Sequence, residues 1–398
     1  MIVARVLLVF VLVCVPVRAQ ELSALARVDA MRSGLVATAK GLELRLGLSQ
    51  PVPWRVRLMD NPPRLVIDTR EVDWAGAAVL AIVRPALAMR AGSFRPGWSR
   101  LVLELDGPYR LVRAEMVTAG ETRIDLALAP TDAADFAVEA AKPDLPEWAA
   151  PKAAELALPV AEGAGPLVVV LDPGHGGLDP GAGRDGQSEA ALMLTFAREL
   201  KEALIRDGRF RVVLTRDADV FVPLETRTSI AREAKADLFL SLHADALAAG
   251  DAQGATVYTL AEETSDAAAA ALAERHDRDD LLAGMDLTAQ DDVVAEVLMD
   301  MARTETLPRT DRLAAAMVAA IKTARIRMHR QPHQTGGFSV LRSPDIPSAL
   351  LEAGFLSSDR DAKRLSDPVW RARLAEAVVE GLAAWSVEDA AFRGLRGP

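Results

Sequence analysis

Between residues 28 and 129 apolar and polar positions alternate in short runs. Leu42, Leu44, Leu46 and Leu48 are interleaved with Glu43, Arg45 and Gly47, the period of a strand buried on one face. The runs 64–69 (RLVIDT), 100–106 (RLVLELD) and 123–129 (RIDLALA) repeat the pattern. Asn61-Pro62-Pro63, Arg95-Pro96-Gly97 and Gly107-Pro108 mark turns between them. These signals predict a small all-β domain over 20–130, an antiparallel sandwich or barrel. It carries no cluster of His, Asp or Glu in a catalytic arrangement, so a binding or targeting module is the expectation.

From 131 to 165 Ala, Pro and Glu dominate and no apolar period persists beyond a turn, which predicts a semi-extended linker. After it the chain alternates strand and helix. The continuous apolar run 166–172 (PLVVVLD) reads as a strand buried on both faces. Ala190, Leu194, Ala197, Leu200 and Leu204 follow at helical spacing and end at Asp207-Gly208. Further strands are predicted at 211–215, 236–242, 255–260 and 348–354, with an Arg-rich helix at about 225–235 and two or three helices within 264–328. Asp367-Pro368 opens a terminal helix to about 386, an N-cap followed by a first-turn proline. This order predicts an α/β domain with a mainly parallel central sheet over 166–390.

The first 19 residues stand apart. Arg5 precedes an almost wholly apolar stretch, Val6–Val17, and Val17-Arg18-Ala19 places small residues before Gln20, as in a secretory signal peptide. The stretch is shorter than the ~18–20 residues of a spanning helix. A membrane anchor or a lipoprotein processed at Cys14 are the alternatives, and no other segment has the length and hydropathy to span a bilayer. Cys14 is the only cysteine. A processed chain therefore has no disulfide and no thiolate ligand, and any metal must be held by His, Asp or Glu. These features favour a periplasmic location. The formal charge is −10, and −12 without Arg5 and Arg18, with no basic stripe, which disfavours nucleic acid as a partner.

Candidate chemistry gathers at the predicted strand ends. The chain has five histidines; His175 follows the run VVVLDPG and His243 ends DLFLSL. In a parallel sheet such ends share one rim, which brings Asp172 and His175, then Ser241, His243 and Asp245, then Tyr258 and Glu352 together. Glu189 lies 14 positions after His175, beyond a Gly-rich loop long enough to fold back over that rim. His175, Glu189 and His243 make a two-His, one-carboxylate zinc site with an open position for water. Glu352, flanked by apolar residues in SALLEAGF, is the candidate general base, since a carboxylate there needs a polar rim or a cation. Singly, each signal has a plainer explanation. A strand histidine can be a satisfied core residue, Glu189 can favour a helix N-terminus, and Asp172 can bond loop amides.

Four ordered stretches carry a resemblance: LDPGHGGLDPGA, SEAALML, SLHADA and RSPDIPSALLEAGFLSS. Over about 166–386 the chain resembles the zinc-dependent N-acetylmuramoyl-L-alanine amidases of the amidase 3 family, division-associated type. The resemblance implies peptidoglycan as substrate and hydrolysis of the amide between the muramic acid lactyl group and the stem peptide's L-alanine. It places the zinc ligands on His175, Glu189 and His243 and the catalytic glutamate on Glu352. A zinc peptidase acting within the stem peptide and a non-catalytic wall-binding regulator are the rival expectations. The N-terminal segment resembles, more loosely, the AMIN domain found ahead of such amidases. Residues 261–308 are longer than a crossover needs and strongly acidic. In the division-associated branch a comparable insert covers the active site with a glutamate on the zinc, until an activator with a LytM-type domain relieves the block. Glu274 is the first candidate for that plug, with His276 or Glu305 as alternatives. His329 and His333, around the helix-interrupting Pro332, are expected in a loop with structural or substrate-contact roles.

Overall fold

The computed structural model describes residues 25–70, 72–95, 97–118, 120–142, 165–246, 252–261, 264–282 and 293–396, with backbone only at 95, 277–282, 293–305 and 393–396. The expected signal peptide and residues 143–164 of the expected linker lie outside them.

The N-terminal domain is a sandwich of two sheets. Its strands are β1 (Ala26–Thr38), β2 (Gly41–Leu48), β3 (Trp54–Met59), β4 (Arg64–Arg70), β5 (Val72–Asp73), β6 (Ala86–Arg95), β7 (Trp98–Leu105), β8 (Tyr109–Val117) and β9 (Arg123–Pro130). One sheet has the order β5-β1-β2-β9-β8 and the other β3-β4-β7-β6. The alternation seen in the sequence sets the inner faces. Leu42, Leu44, Leu46, Ile124 and Leu126 of one sheet share a core with Leu65, Ile67, Leu101 and Leu103 of the other, each buried side chain stabilising the domain by ~1.5–3 kcal/mol.

Residues 133–140, expected at the start of the linker, instead form a helix, α1 (Ala133–Ala140). Asp132 caps it by accepting from the Asp135 N–H at 2.8 Å. Phe136 and Ala140 pack into the sandwich core. The alanine-rich composition hid this helix because a single large apolar residue anchors it.

The α/β domain contains β10 (Leu167–Pro173), the short pair β11 (Gly183–Arg184) and β12 (Gln187–Ser188), α2 (Glu189–Asp207), β13 (Phe210–Leu214), α3 (Leu224–Glu233), β14 (Leu238–His243) and β15 (Ala255–Leu260). After these come α4 (Ala267–Leu282), α5 (Val293–Thr323), β16 (Met328–Gly336), β17 (Ser348–Glu352), α6 (Asp359–Ser366) and α7 (Pro368–Arg396). The sheet order is β13-β10-β14-β17-β15-β16. It is a mixed sheet: β15 runs antiparallel to β17, whereas the pairs β13/β10, β10/β14, β14/β17 and β15/β16 are parallel. Val169 and Leu171 face a core built with α2, α5 and α7, while Val170 faces a second core that includes Ala269, Leu272 and Ala273 of α4. This two-sided burial is why PLVVVLD is apolar without alternation.

The expected loop around His329 and His333 is the edge strand β16. Its register with β15 jumps from Ala255↔Met328 to Val257↔His333, so Pro332, which has no N–H to donate, falls in the irregularity. Among the described residues no helix is long and apolar enough to cross a membrane.

Candidate metal centre

The site lies at one rim of the mixed sheet because three strands end there in register. Asp172 pairs with Ser241 across β10 and β14, and His243 with Glu352 across β14 and β17. The chain leaves β10 through Pro173-Gly174 and turns back, with the Gly174 N–H donating to Leu242 O at 3.0 Å. A Cβ on Gly174 would lie 2.3–2.7 Å from the His243 ring atoms, so only glycine lets the turn pass that imidazole. His175 then adopts a left-handed φ of 59°.

Glu189, the first residue of α2, completes the arrangement and is fully buried. One of its oxygens faces His175 Nε2 at 3.2 Å, and the other faces His243 Nδ1 at 3.1 Å. Main-chain N–H groups of Ala182 (3.0 Å) and Ala244 (2.8 Å) donate to the same carboxylate and fix it. The remaining nitrogen of His175, Nδ1, is held by Asp179 Oδ2 at 2.7 Å. Burial alone would raise the Glu189 carboxyl, but the charge of His175 and the close contacts of both imidazoles hold it well below its usual range. Burial would likewise depress His175, yet Glu189 and Asp179 raise it well above an ordinary histidine. Burial and the neighbouring His276 push His243 down to about 4. The pocket thus concentrates negative charge beside imidazole nitrogens and favours a cation.

The donor set suits zinc. Metal–nitrogen and metal–oxygen bonds of ~2.0–2.2 Å in a tetrahedron separate ligand atoms by roughly 3.3 Å, close to the spacing of each Glu189 oxygen from the one imidazole it faces. A carboxylate behind a ligating imidazole, as Asp179 stands behind His175, is the common supporting contact.

His276 of α4 is the third imidazole. Its ring stacks on His243 with centroids 4.2 Å apart and lies 5.8 Å from His175. One nitrogen from each of His175, His243 and His276 falls within 4.8 Å of the others. Asp245 holds His276 Nε2 at 2.9 Å and also accepts from Arg275. His276 Nδ1 is buried without a hydrogen bond among the described residues. Glu274, the first candidate for the plug, is instead exposed on the other side of the helix, and the side chain of Glu305 lies outside the described residues.

Glu352 is fully buried beside this cluster. Its Oε2 accepts from the Asp245 N–H at 3.1 Å, while Oε1 has no hydrogen-bond partner among the described residues. Burial, together with the charges of Asp245 and Glu189, raises its proton affinity well above that of an ordinary glutamate. His329 and His333 lie on β16: His333 Nε2 meets Thr259 Oγ1 at 2.9 Å, and His329 contacts Gln331 and Gln334. Neither shares a cluster of potential ligands with the three imidazoles.

Two residues missed by sequence reasoning grip the turn that carries His175. Arg227 of α3 donates to Pro173 O (3.0 Å), His175 O (2.9 Å) and Asp172 Oδ1 (2.7 Å). Arg216 donates to Pro173 O (2.9 Å), Gly174 O (2.7 Å) and Ala190 O (2.8 Å). Asp172 does not bond loop amides. It takes the Thr215 and Ser241 hydroxyls at 2.6 and 2.7 Å and balances Arg227.

Residues 169–384 match the family model described as N-acetylmuramoyl-L-alanine amidase, Amidase_3. The chain belongs to this family. It is 31% identical over 351 residues to N-acetylmuramoyl-L-alanine amidase AmiC of Escherichia coli O6:H1, covering 83% of each chain. It is 36% identical over 223 residues to AmiA of Escherichia coli K12, covering 56% of this chain and 76% of the relative. Among solved structures, amidase AmiC2 of Nostoc punctiforme is 27% identical, with 56% of this chain and 98% of that one covered and a TM-score of 0.39. All four expected site residues, His175, Glu189, His243 and Glu352, fall inside the family match.

Proposed function

We propose that the chain is a zinc-dependent N-acetylmuramoyl-L-alanine amidase acting on peptidoglycan, held in a resting state by α4. The observation that carries this reading is the Glu189 carboxylate, whose two oxygens meet His175 Nε2 and His243 Nδ1 at 3.2 and 3.1 Å. Bound zinc supplies Lewis acidity that activates water at neutral pH and polarises the amide carbonyl. The protein does the rest. Glu189, His175 and His243 would hold the ion, and Asp179 orients His175. Glu352 presents Oε1, the atom without a hydrogen bond. There it accepts the proton of the attacking water and passes it to the departing alanine amine. Its raised proton affinity, caused by burial and its acidic neighbours, suits a group that must hold a proton between those two transfers.

His276 takes the blocking role first assigned to Glu274. Its ring lies against His243, where it would obstruct access of substrate and water to an ion held by His175, Glu189 and His243. Withdrawal of α4 is then the activating event, and an activator of LytM type is the partner this reading calls for. The N-terminal sandwich corresponds to an AMIN-like targeting domain, and the apolar first residues to an export signal leading to the periplasm.

The test is zinc stoichiometry together with hydrolysis of purified sacculi by wild type, Glu352→Gln and His276→Ala. Wild type should bind one zinc and hydrolyse slowly. His276→Ala should hydrolyse faster, and Glu352→Gln should keep its zinc while losing ~10²–10⁴-fold in rate. Released intact stem peptides mark an amidase, whereas fragments cut within the peptide refute it. Unchanged basal hydrolysis in His276→Ala refutes the blocking role alone.

A further inference from the structure

The two domains meet at the loop that supports His175. β6 is an edge strand of its sheet, and its backbone lies directly on residues 177–178. The Leu178 N–H donates to Ser93 O at 3.2 Å. A Cβ on Gly92 would sit 2.6 Å from Gly177 C, Gly177 O and Leu178 Cα, so a larger residue there forces the two domains apart. Leu178 is buried with Phe221 and Phe94, whose rings stack with centroids 6.2 Å apart.

A polar chain crosses the same junction. Arg90 lies two residues from Gly92, on the same face of β6, and its Nη1 approaches Asp179 Oδ1 at 3.4 Å. The other oxygen of Asp179 holds His175 Nδ1 at 2.7 Å. Arg90, Asp179 and His175 are thus linked in series, from the N-terminal sandwich to the back of a candidate metal ligand.

We propose that the N-terminal domain docks through β6 as an intramolecular clamp on the metal loop, with Arg90 a positioning residue that sets His175 through Asp179. The proposal rests on the metal reading above. Asp179 fixes the tautomer and ring direction of His175, leaving Nε2 for the ion. Partners of this kind typically alter metal affinity ~10–100-fold when removed. Arg90 orients Asp179 in turn. Interfaces between domains of one chain open more readily than cores, so engagement of the N-terminal domain elsewhere would loosen the metal loop. On this view the sandwich acts on the site as well as on location.

The experiment uses the full chain as wild type, Arg90→Ala, Arg90→Lys and Gly92→Val. Zinc affinity is measured by chelator competition, the ligand field by the visible spectrum of the cobalt form, and docking by hydrogen exchange of the Leu178 amide in the metal-free protein. Gly92→Val should speed Leu178 exchange and weaken zinc binding ~10–100-fold. Arg90→Ala should weaken it about tenfold and shift the cobalt spectrum, with Arg90→Lys restoring most of both. Zinc affinity within twofold of wild type in Arg90→Ala, or in an undocked Gly92→Val, overturns the proposal. So does a Leu178 amide that already exchanges in wild type as fast as an unprotected one. Absence of zinc from a wild type whose Leu178 is protected overturns the metal reading itself, and the positioning role with it.

Discussion

Asp172→Asn tests whether the buried arginine grip is held by one carboxylate. Asp172 is fully buried and Arg227 is 3% exposed. Asparagine keeps the shape and can still meet the Thr215 and Ser241 hydroxyls, so the neutral hydrogen bonds largely survive. The charge opposite Arg227 does not. Arg227 then retains only neutral acceptors, the carbonyls of Val222, Pro173 and His175 and the new side-chain amide oxygen. Removing one partner of a buried ion pair costs ~3–5 kcal/mol, and we take ~3 kcal/mol because three carbonyl contacts remain. Hydrogen exchange of the Val169, Val170 and Leu171 amides reports opening of the α/β domain alone; 3 kcal/mol corresponds to roughly a 150-fold faster exchange.

The pH dependence supplies a second check on the same residue. Burial raises the Asp172 carboxyl, but Arg227 and the two hydroxyl donors outweigh burial and lower it. A carboxyl depressed in the folded state contributes stability that is fully present above its unfolded value of ~3.9 and is lost as pH falls through the folded value. The gap between wild type and Asp172→Asn should therefore be constant from pH 7 to about 5 and narrow below ~3.9. A difference under ~1 kcal/mol at pH 7, or a gap that widens in acid, would refute the reasoning.

Gly174→Ala should cost ~1–3 kcal/mol by overpacking, because the new methyl lands 2.3–2.7 Å from the His243 ring. Zinc affinity should fall with it, and an unaltered affinity by chelator competition would count against the placement of His243 as a ligand. Phe136→Ala should destabilise the N-terminal sandwich by ~3–5 kcal/mol, read as a lower urea midpoint for that domain. A change below ~1 kcal/mol would show that α1 is not part of the sandwich core. Chelation should lower the melting temperature of the α/β transition while sparing that of the sandwich. At free zinc 100-fold above Kd the stabilisation lost is ~2.7 kcal/mol, and a calorimetric trace insensitive to chelator would contradict a native-state metal site.

The strand ends bearing His175, His243 and Glu352, and the helix start bearing Glu189, were legible because a polar residue at the edge of an apolar run is conspicuous. The supporting contacts were not. Arg216 and Arg227 act on the main-chain carbonyls of Pro173, Gly174 and His175, and carbonyl partners leave no mark on composition. In the sequence Arg227 belongs to an arginine-rich helical stretch whose charges suggest an exposed face. Asp179 stands four positions from His175, a separation that says nothing until Gly176 and Gly177 turn the chain back. The β16 strand was hidden by Pro332, which interrupts its ladder without ending the strand.

The choice between Glu274 and His276 shows how narrow the margin is inside α4. Two positions along a helix are about 200° apart around its axis, so one of the pair faces the rim and the other faces away. The buried residues Ala269, Leu272, Ala273 and His276 recur at i, i+3, i+4 and i+7, the stripe of a helix packed on a core. That stripe is present in the sequence but is muted by the run Ala267–Ala271, where every face looks apolar. Leu272 alone sets the register, and it puts His276 rather than Glu274 on the buried face. The same register couples His276 to the fold. Ala269, Leu272 and Ala273 pack beneath β10 and β15 with Val170 and Tyr258, so deleting the insert also removes core residues. On the reading proposed above, opening the site would require the part of α4 that bears His276 to move while Ala269 and Leu272 stay packed.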